Sequence, residues 1–358
     1  MAFYGFFIGL RLPESIVRGM RGEKRLARNG DMLVIMQSKK VLGIEGTAWS
    51  LSAAIVGHDR VYAEAGHPYV PETGGIHPMA AAQHHASHIA PIIRQVLDSG
   101  VGFDGVAFSR GPGLGPCLRT VATAARALAL AYDVPLIGVN HCVAHIEVGR
   151  WQTGCHDPVV LYVSGANSQV IAFRRGRYRV FGETLDIGIG NALDKFGRHL
   201  GLQHPGGPKI EALAREGKSY IKMPYVVKGM DLSFSGMMSA AKEAAATHSK
   251  EDVCFSLQEN AFAMLVEVTE RALAHTGKDE VLIGGGVGAN GRLQAMLDAM
   301  CKDRGAKFYA PPRKFFGDNG SMIAYTGLIQ LEHGMTLDIA DSAVLPNYRT
   351  DDVVIPWL

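Results

Sequence analysis

The apolar positions of the chain fall into two matching stretches. In "KKVLGIEGTAWSLSAAIVGHDRVYAEAG", residues 39–66, a buried-type apolar run leads into a small, polar, glycine-containing turn. A second apolar run, a Gly-His-Asp turn and a third strand-like segment follow. "PVVLYVSGANSQVIAFRRGRYRVFGET", beginning at Pro158, has the same order, with Ser164, Gly165, Asn167 and Ser168 in its turn. Isolated apolar strands come after each: "FDGVAFSRGPG" and "PLIGVNH" after the first, "DEVLIGGGVGAN" after the second. Strand triplets joined to helices and further strands predict mixed α/β sheets. Their repetition predicts two related domains, with a ligand in the cleft between the polar turns.

Helical segments lie between and after these units. "IHPMAAAQHHASHIAPIIRQVLDSG" has Pro78 at its entrance and Gly100 past its end. "CLRTVATAARALALAYD" is alanine-rich, and "DVCFSLQENAFAMLVEVTERALAHTG" is a long amphipathic pattern ending at Gly277. "NGRLQAMLDAMCKDRG" follows a triple glycine, and "NGSMIAYTGLIQLEHG" predicts a helix that returns late in the chain.

Composition narrows the classes. At 358 residues and 47% hydrophobic, the chain has room for two cores. A net charge of +2 gives no overall nucleic-acid signal, so any such surface must be local. Cys117, Cys142, Cys155, Cys254 and Cys301 are odd in number and form no CxxC pair. A reducing compartment fits them better than a disulfide framework or a cysteine zinc site. No apolar run reaches the ~18 residues of a membrane span. The first 30 residues run from apolar to basic, the reverse of a signal peptide. Residues 1–35 are expected to be a poorly ordered extension, dispensable for fold and chemistry, with "MQSKKVLGIEGTA" from Met36 leading into the first strand.

Several segments carry chemistry. In "GIEGTAWSLS", Glu45 sits between glycines and is followed by Thr47 and Ser50. A carboxylate there orients a cation or a water more naturally than it touches phosphate; an exposed hairpin turn is the alternative. "IGGGVGAN" lacks the Rossmann spacing, and neither it nor "SRGPGLGPCLRT" is followed by the Lys-Ser/Thr pair of a P-loop. "ETLDIGIGNALDKFGRHLGLQHPGGPKIEAL" gathers Asp194, Lys195, Gly206, Gly207 and Glu211 around a Pro/Gly loop. That pattern suits a ribose or a solvated helix–loop–helix. In "VNHCVAHIE", His141 and His145 stand four apart and share one helix face. The second position is Cys142, so the glutamate base of an HExxH protease is missing. His84 and His88 have the same spacing, so spacing alone decides nothing. Asp318 in "FFGDNGSM" and Tyr162 in the repeated turn strand are oxygen donors. Two histidines with these oxygens suit iron, manganese or zinc; two core histidines are the alternative.

"LGIEGTA", "GGIHPMAAAQHHA", "GPGLGPCLRT", "GVNHCVAHIE", "LYVSGANSQV", "GETLDIGIGNALDKFGRHLGL", "HPGGPKIEALA", "KGMDLSFSG" and "DNGSMIAYTG" occur in this order. Together they resemble the TsaD-like proteins of archaeal and eukaryotic type, the catalytic subunit of the KEOPS complex. The resemblance covers about residues 39–357. It implies an α/β chain with the actin-like ATPase fold, two related RNase H-like domains and an interdomain cleft. The domains would be residues 36–157 plus 322–358, and 158–321. It implies transfer of threonylcarbamoyl from threonylcarbamoyl-AMP to N6 of the adenosine beside the anticodon, in tRNAs reading ANN codons.

By the same resemblance, one iron or zinc ion per subunit would be held by His141, His145, Tyr162 and Asp318. His141, His145 and Asp318 would be the catalytic set. Nucleotide contacts would fall at Tyr162, Val163, Ser164, Gly165, Ala166, Asp194, Gly207, Glu211 and Asn290. Expected partners are tRNA, an atypical small kinase and a small dimerising subunit of KEOPS. A separate threonylcarbamoyl-AMP synthase supplies the substrate, in the cytoplasm and without a membrane. The chain ends at "VVIPWL", so no fused kinase is expected.

Four positions depart from the family pattern: Met79 and Ala80 for a basic residue and Glu, Ala166 for a second glycine, and Gly317 for a charge. Asp194 and the substrate's own phosphate both stay open as general base. Arg174, Arg175, Arg177 and Arg179 form the densest basic cluster, a tRNA surface or a solvated hairpin turn. A nucleotide-binding scaffold and a small-molecule kinase of the same fold remain competing classes.

Overall fold

The computed structural model describes residues 38–71 and 75–358. The expected N-terminal extension and the start at Met36 lie outside the described residues. The first strand triplet forms an antiparallel meander, β1 (Val41–Glu45), β2 (Ser50–Val56) and β3 (Val61–Pro68). After α1 (Pro78–Leu97), β4 (Gly105–Gly111) joins β1 in parallel, and after α2 (Gly115–Tyr132), β5 (Leu136–Asn140) extends the sheet. Leu42, Ile44, Leu51 and Ile55 pack against Ile89 and Ile92 of α1 and Val121 and Leu128 of α2.

After α3 (His141–Thr153) the pattern begins again. β6 (Val159–Val163), β7 (Ser168–Arg174) and β8 (Arg177–Glu183) form a second meander. Helices α4 (Ile189–His199) and α5 (Gly206–Ala214) follow, then a short hairpin of β9 (Val227–Lys228) and β10 (Asp231–Leu232). Then come α6 (Ser235–Ala244), the long α7 (Lys250–Thr276), β11 (Glu280–Gly284), α8 (Gly291–Arg304) and β12 (Lys307–Tyr309). β11 and β12 extend the sheet in parallel. The two five-stranded sheets run β3-β2-β1-β4-β5 and β8-β7-β6-β11-β12, one topology used twice. The repeated grammar of the sequence is therefore a repeated fold. The hairpin and α6 have no counterpart in the periodicity reading, because two-residue strands carry no alternation to detect.

The two lobes are joined by exchange of helices. α3 leaves the first sheet but packs on the second, where Cys142, Val143 and Ile146 meet Val160, Tyr162 and Leu282. α9 (Gly320–Glu332) leaves the second sheet but packs on the first, where Met322, Ile323 and Leu328 meet Val41, Ala107 and Ile137. Ala144 and Val148 of α3 belong to that same cluster, so the crossing helices lie side by side between the sheets. α9 sits on the sheet at backbone contact distance. A Cβ on Gly43 would meet the Ala324 amide nitrogen at 2.2 Å.

α3 has no polar face, because residues 141–149 are all buried. A helix buried all round belongs to a core, yet this one carries two histidines and Glu147. Its N-cap is Asn140, whose side-chain oxygen accepts from the Cys142 and Val143 amides while its amide donates to the Tyr348 and Arg349 carbonyls. Glu147 accepts from the Tyr178 hydroxyl at 2.6 Å, Arg150 at 2.7 Å and Trp357 Nε1 at 3.0 Å. Chain terminus, second sheet and α3 thus share one buried carboxylate.

Gly43→Ala is expected to destabilise the protein by about 1–3 kcal/mol, because the added methyl meets backbone. Gly102→Ala, where a Cβ meets nothing within 4 Å, is the control and should be neutral. Urea denaturation followed by circular dichroism measures both; equal midpoints would contradict the packing described.

Candidate metal and nucleotide site

α3 presents His141 and His145 one turn apart, with ring centroids 4.8 Å apart and nearly perpendicular. Asp318, in the turn that leads into α9, faces both. Its Oδ1 lies 3.4 Å from His141 Nε2 and 3.2 Å from His145 Nε2. One ligand atom from each of the three falls within 4.8 Å of the others. Tyr162, near the end of β6, lies 5.2 Å from the His145 ring, centroid to centroid. Tyr162 is fully buried, and neither its hydroxyl nor His145 Nδ1 has a hydrogen-bond partner. Buried polar atoms are nearly always paired. An orphaned phenol beside two imidazoles and a carboxylate is a donor set that fits a cation of iron or zinc type.

Glu45 completes the arrangement. It is wholly buried at the end of β1, accepts from the Thr47 amide at 2.7 Å, and accepts from His141 Nδ1 at 3.1 Å. That bond directs His141 Nε2 toward Asp318, the usual way a carboxylate orients a metal-ligating imidazole. Burial of Glu45 excludes the exposed turn, and its carboxylate is held by Thr47 and His141; with the partners 96 positions apart in the chain, no local spacing reports the pair.

Electrostatics follow from burial and these carboxylates. Burial opposes charge on His141, but Glu45 and Asp318 outweigh it and hold its pKa well above the ordinary value. For His145 burial prevails over Asp318, and the pKa moves down. Burial opposes ionisation of Asp318 as well, but the two imidazoles outweigh it and hold its carboxyl far below the usual range. Burial pushes the Cys142 thiol up, so the position of the missing protease glutamate holds an inert, protonated group.

The expected nucleotide residues form a chain of contacts. The turn of Ser164, Gly165 and Ala166 docks on the start of α4, where Gly190 and Asn191 amides donate to the Ser164 and Gly165 carbonyls. Val163 closes β6, and its carbonyl lies 2.4 Å from where a Gly285 Cβ would be. Gly285 has φ +82°, so glycine alone fits there. Asp194 on α4 accepts from the Gly206 amide at 2.6 Å and pairs with His204 at 3.1 Å. Burial alone would raise its pKa, but these two partners hold it below the carboxylate norm. Gly207 lies in the first turn of α5, and Glu211 on the same helix accepts from the Gly291 amide at 3.1 Å. Asn290 caps α8 and donates to Gln258, so its side chain is committed inside the protein.

Between the lobes, Trp49 meets His204 edge-on with centroids 5.9 Å apart. A groove lined by Trp49, Ser50, Glu64, His67 and Asn319 opens on Asp318. Ala166 is not among the described non-glycine residues with positive φ, so alanine costs that turn no backbone strain. Met79 is exposed in the first turn of α1, and Gly317 has open space around its Cβ direction. His84 and His88 lie on α1 beside His67, outside the His141 set. Burial and then His88, His85 and His67 push the pKa of His84 down to about 4. Of the basic cluster, Arg174, Arg175 and Arg179 are exposed, whereas Arg177 donates to the Asp351 and Asp352 carbonyls.

The family model described as "TsaD: tRNA N6-adenosine threonylcarbamoyltransferase" matches residues 61–325. A protein of Methanocella arvoryzae with the name tRNA N6-adenosine threonylcarbamoyltransferase is 88% identical over 323 residues, covering 90% of this chain and all of that one. A probable bifunctional tRNA threonylcarbamoyladenosine biosynthesis protein of Methanosarcina acetivorans is 64% identical over 330 residues; the match spans 90% of this chain and 60% of the relative. Among solved structures, T. kodakarensis HypF superposes with a TM-score of 0.59 at 14% identity, over 83% of this chain and 48% of that one. The likeness to HypF concerns the fold alone, which is that of the actin-like ATPases.

Glu45→Gln is expected to weaken zinc binding at the His141 set about 10- to 100-fold, as loss of an orienting partner typically does. Competition with a chromophoric chelator measures it. Affinity equal to that of the unsubstituted protein would show that Glu45 does not act through His141.

Proposed function

The chain belongs to the TsaD family of tRNA N6-adenosine threonylcarbamoyltransferases, and on that premise we propose that transfer takes place at the His141–Asp318 centre. It is a transferase of tRNA modification. The observation that supports the site is the orphaned, buried Tyr162 hydroxyl beside two imidazoles and a carboxylate. His141, His145, Tyr162 and Asp318 would hold one iron or zinc ion. Such an ion supplies Lewis acidity, which stabilises charge developing on carbonyl or phosphate oxygens.

The rest is done by the chain. On our reading threonylcarbamoyl-AMP lies along the contacts of Tyr162 to Ala166, Asp194, Gly207, Glu211 and Asn290. Of these, Asn290 contributes by fixing the start of α8 rather than by a free side chain. The tRNA adenosine N6 attacks the carbamoyl carbon, the bond to the phosphate oxygen breaks, and AMP leaves. N6 must lose a proton. Asp194 is a weak base for it, because His204 and the Gly206 amide stabilise its ionised form. The substrate's phosphate is then the better acceptor.

We take residues 36–157 plus 322–358 and residues 158–321 as the two domains, a division supported by the return of α9 to the first sheet. A cytoplasmic site of action and work alongside KEOPS partners, a small kinase and a dimerising subunit, complete the reading. No helix among the described residues is long and apolar enough to cross a membrane.

His141→Ala is expected to remove the centre's ion and to lower threonylcarbamoyl transfer by at least ~100-fold, the scale set by losing one preorganised electrostatic contact. Transfer to tRNA is read with threonine, bicarbonate, ATP and the adenylate-forming enzyme; metal is read by elemental analysis. An unchanged ion content with full activity would sink the assignment. For tRNA, replacing Arg174, Arg175 and Arg179 with alanine together should weaken binding and reduce the salt slope by about 1 per lost phosphate contact. Binding measured across a salt series tests this, and an unchanged slope would place tRNA elsewhere.

A further inference from the structure

A second group of donors stands outside the residues used above. α1 carries His84, His85 and His88, and β3 brings His67 over them. His67 Nδ1 and His84 Nε2 are 2.8 Å apart, and His84 Nδ1 and His85 Nδ1 are 3.3 Å apart. The His67 and His88 rings stack at 4.1 Å and the His84 and His88 rings at 4.3 Å. One ring nitrogen from each of His67, His84 and His88 lies within 4.8 Å of one from each of the others. Among the described residues, no carboxylate is hydrogen-bonded or ion-paired to any of them.

Four imidazoles packed this way need an explanation. Protonated, they would repel one another at short range without a paired anion. Neutral, each ring has only one N–H to donate. His88 shows where one N–H goes. Its Nδ1 sits 2.8 Å from the His84 carbonyl, which only accepts, so Nδ1 carries the hydrogen. Nε2 of the neutral ring is then the free donor of electrons. A backbone carbonyl holding one nitrogen while the other faces a shared point is how metal-ligating histidines are fixed. His85, whose Nδ1 faces His84, is buried and its Nε2 has no hydrogen-bond partner.

We propose that His67, His84 and His88 bind a divalent transition-metal cation of zinc type, at a site separate from the His141 centre. Three nitrogen donors without a carboxylate select borderline ions such as zinc over magnesium or calcium. A set of three histidines leaves a fourth tetrahedral position for water or another ligand. That position is reachable, because His67 is exposed and lines the groove that opens on Asp318. The HxxxH spacing of α1 and that of α3 are on this view two separate uses of one helical device, one closed by an oxygen set and one by a strand histidine.

The experiment is zinc equilibrium dialysis of the full chain, with elemental analysis against protein concentration, for the unsubstituted protein, His67→Gln, His88→Ala and His141→Ala. His67→Gln and His88→Ala are each expected to carry one zinc ion fewer than the unsubstituted protein. His141→Ala should lose a different ion, so that His67→Gln combined with His141→Ala loses two. β3 is an edge strand, and a thermal midpoint of His67→Gln within a degree or two of the parent shows that the loss is local. If His67→Gln and His88→Ala bind as many zinc ions as the unsubstituted protein, the proposal is overturned. If instead only His141→Ala keeps the full count, it is the His141 centre that fails and this site that stands.

Discussion

The buried first nine residues of α3 cannot leave their ionisable groups unpaired, and they carry two imidazoles and a carboxylate. Desolvating an imidazole or a carboxylate costs several kcal/mol unless hydrogen bonds and opposite charge replace the lost water. The partners come from all parts of the molecule. Glu45 at the end of β1 takes His141; Asp318 ahead of α9 takes His141 and His145. Tyr178 of β8 and Trp357 near the chain's end take Glu147. The same contacts that make α3 tolerable in the core bring both lobes and the C-terminal segment to one place. Fold and site are two consequences of one electrostatic demand.

The duplication explains why this place lies between the lobes. α3 and α9 are equivalent crossing helices, one leaving each sheet after its last strand. Each is capped by an asparagine, Asn140 and Asn319. The chemistry sits next to the caps, His141 just after one and Asp318 just before the other. A carboxylate ahead of a helix N-terminus is favoured by the helix dipole, so Asp318 is stabilised as an anion even before the histidines are counted. Two equivalent helix starts, one offering nitrogen and the other oxygen, converge because the sheets they leave face each other across the crossing pair.

Much of this was legible in the sequence. Repeated strand grammar marked the two sheets, because strands covered on both faces read as continuous apolar runs bounded by polar turns. The four-residue histidine spacing gave one helix face, whereas the asparagine caps of α3 and α9 emerge only in the structure. Tyr162 and Asp318 joined the histidines through local context and family likeness, not spacing. The Glu45–His141 bond was not legible, since nothing local distinguishes a carboxylate that orients a histidine from one that faces water. Nor was the role of Asn290, whose cap contacts are satisfied inside the protein. The total burial of α3 hides behind its polar residues, which make it look like an ordinary surface helix.

The lobe contact between Trp49 and His204 ties this geometry to substrate handling. Trp49 lies in the turn that also carries Glu45 and Thr47, and His204 is the partner of Asp194. Thr47 Oγ1 lies 3.4 Å from His141 Nδ1, so one short turn touches His141 and the loop ahead of α5. Any change in the angle between the lobes therefore moves the Glu45 turn and the Asp194–His204 pair relative to each other. On the reading adopted above, that couples the orientation of His141 to the loop that holds the nucleotide. On that same reading, the Trp49–His204 contact closes one wall of the cleft, and a walled cleft shields an acyl donor from water better than an open surface would.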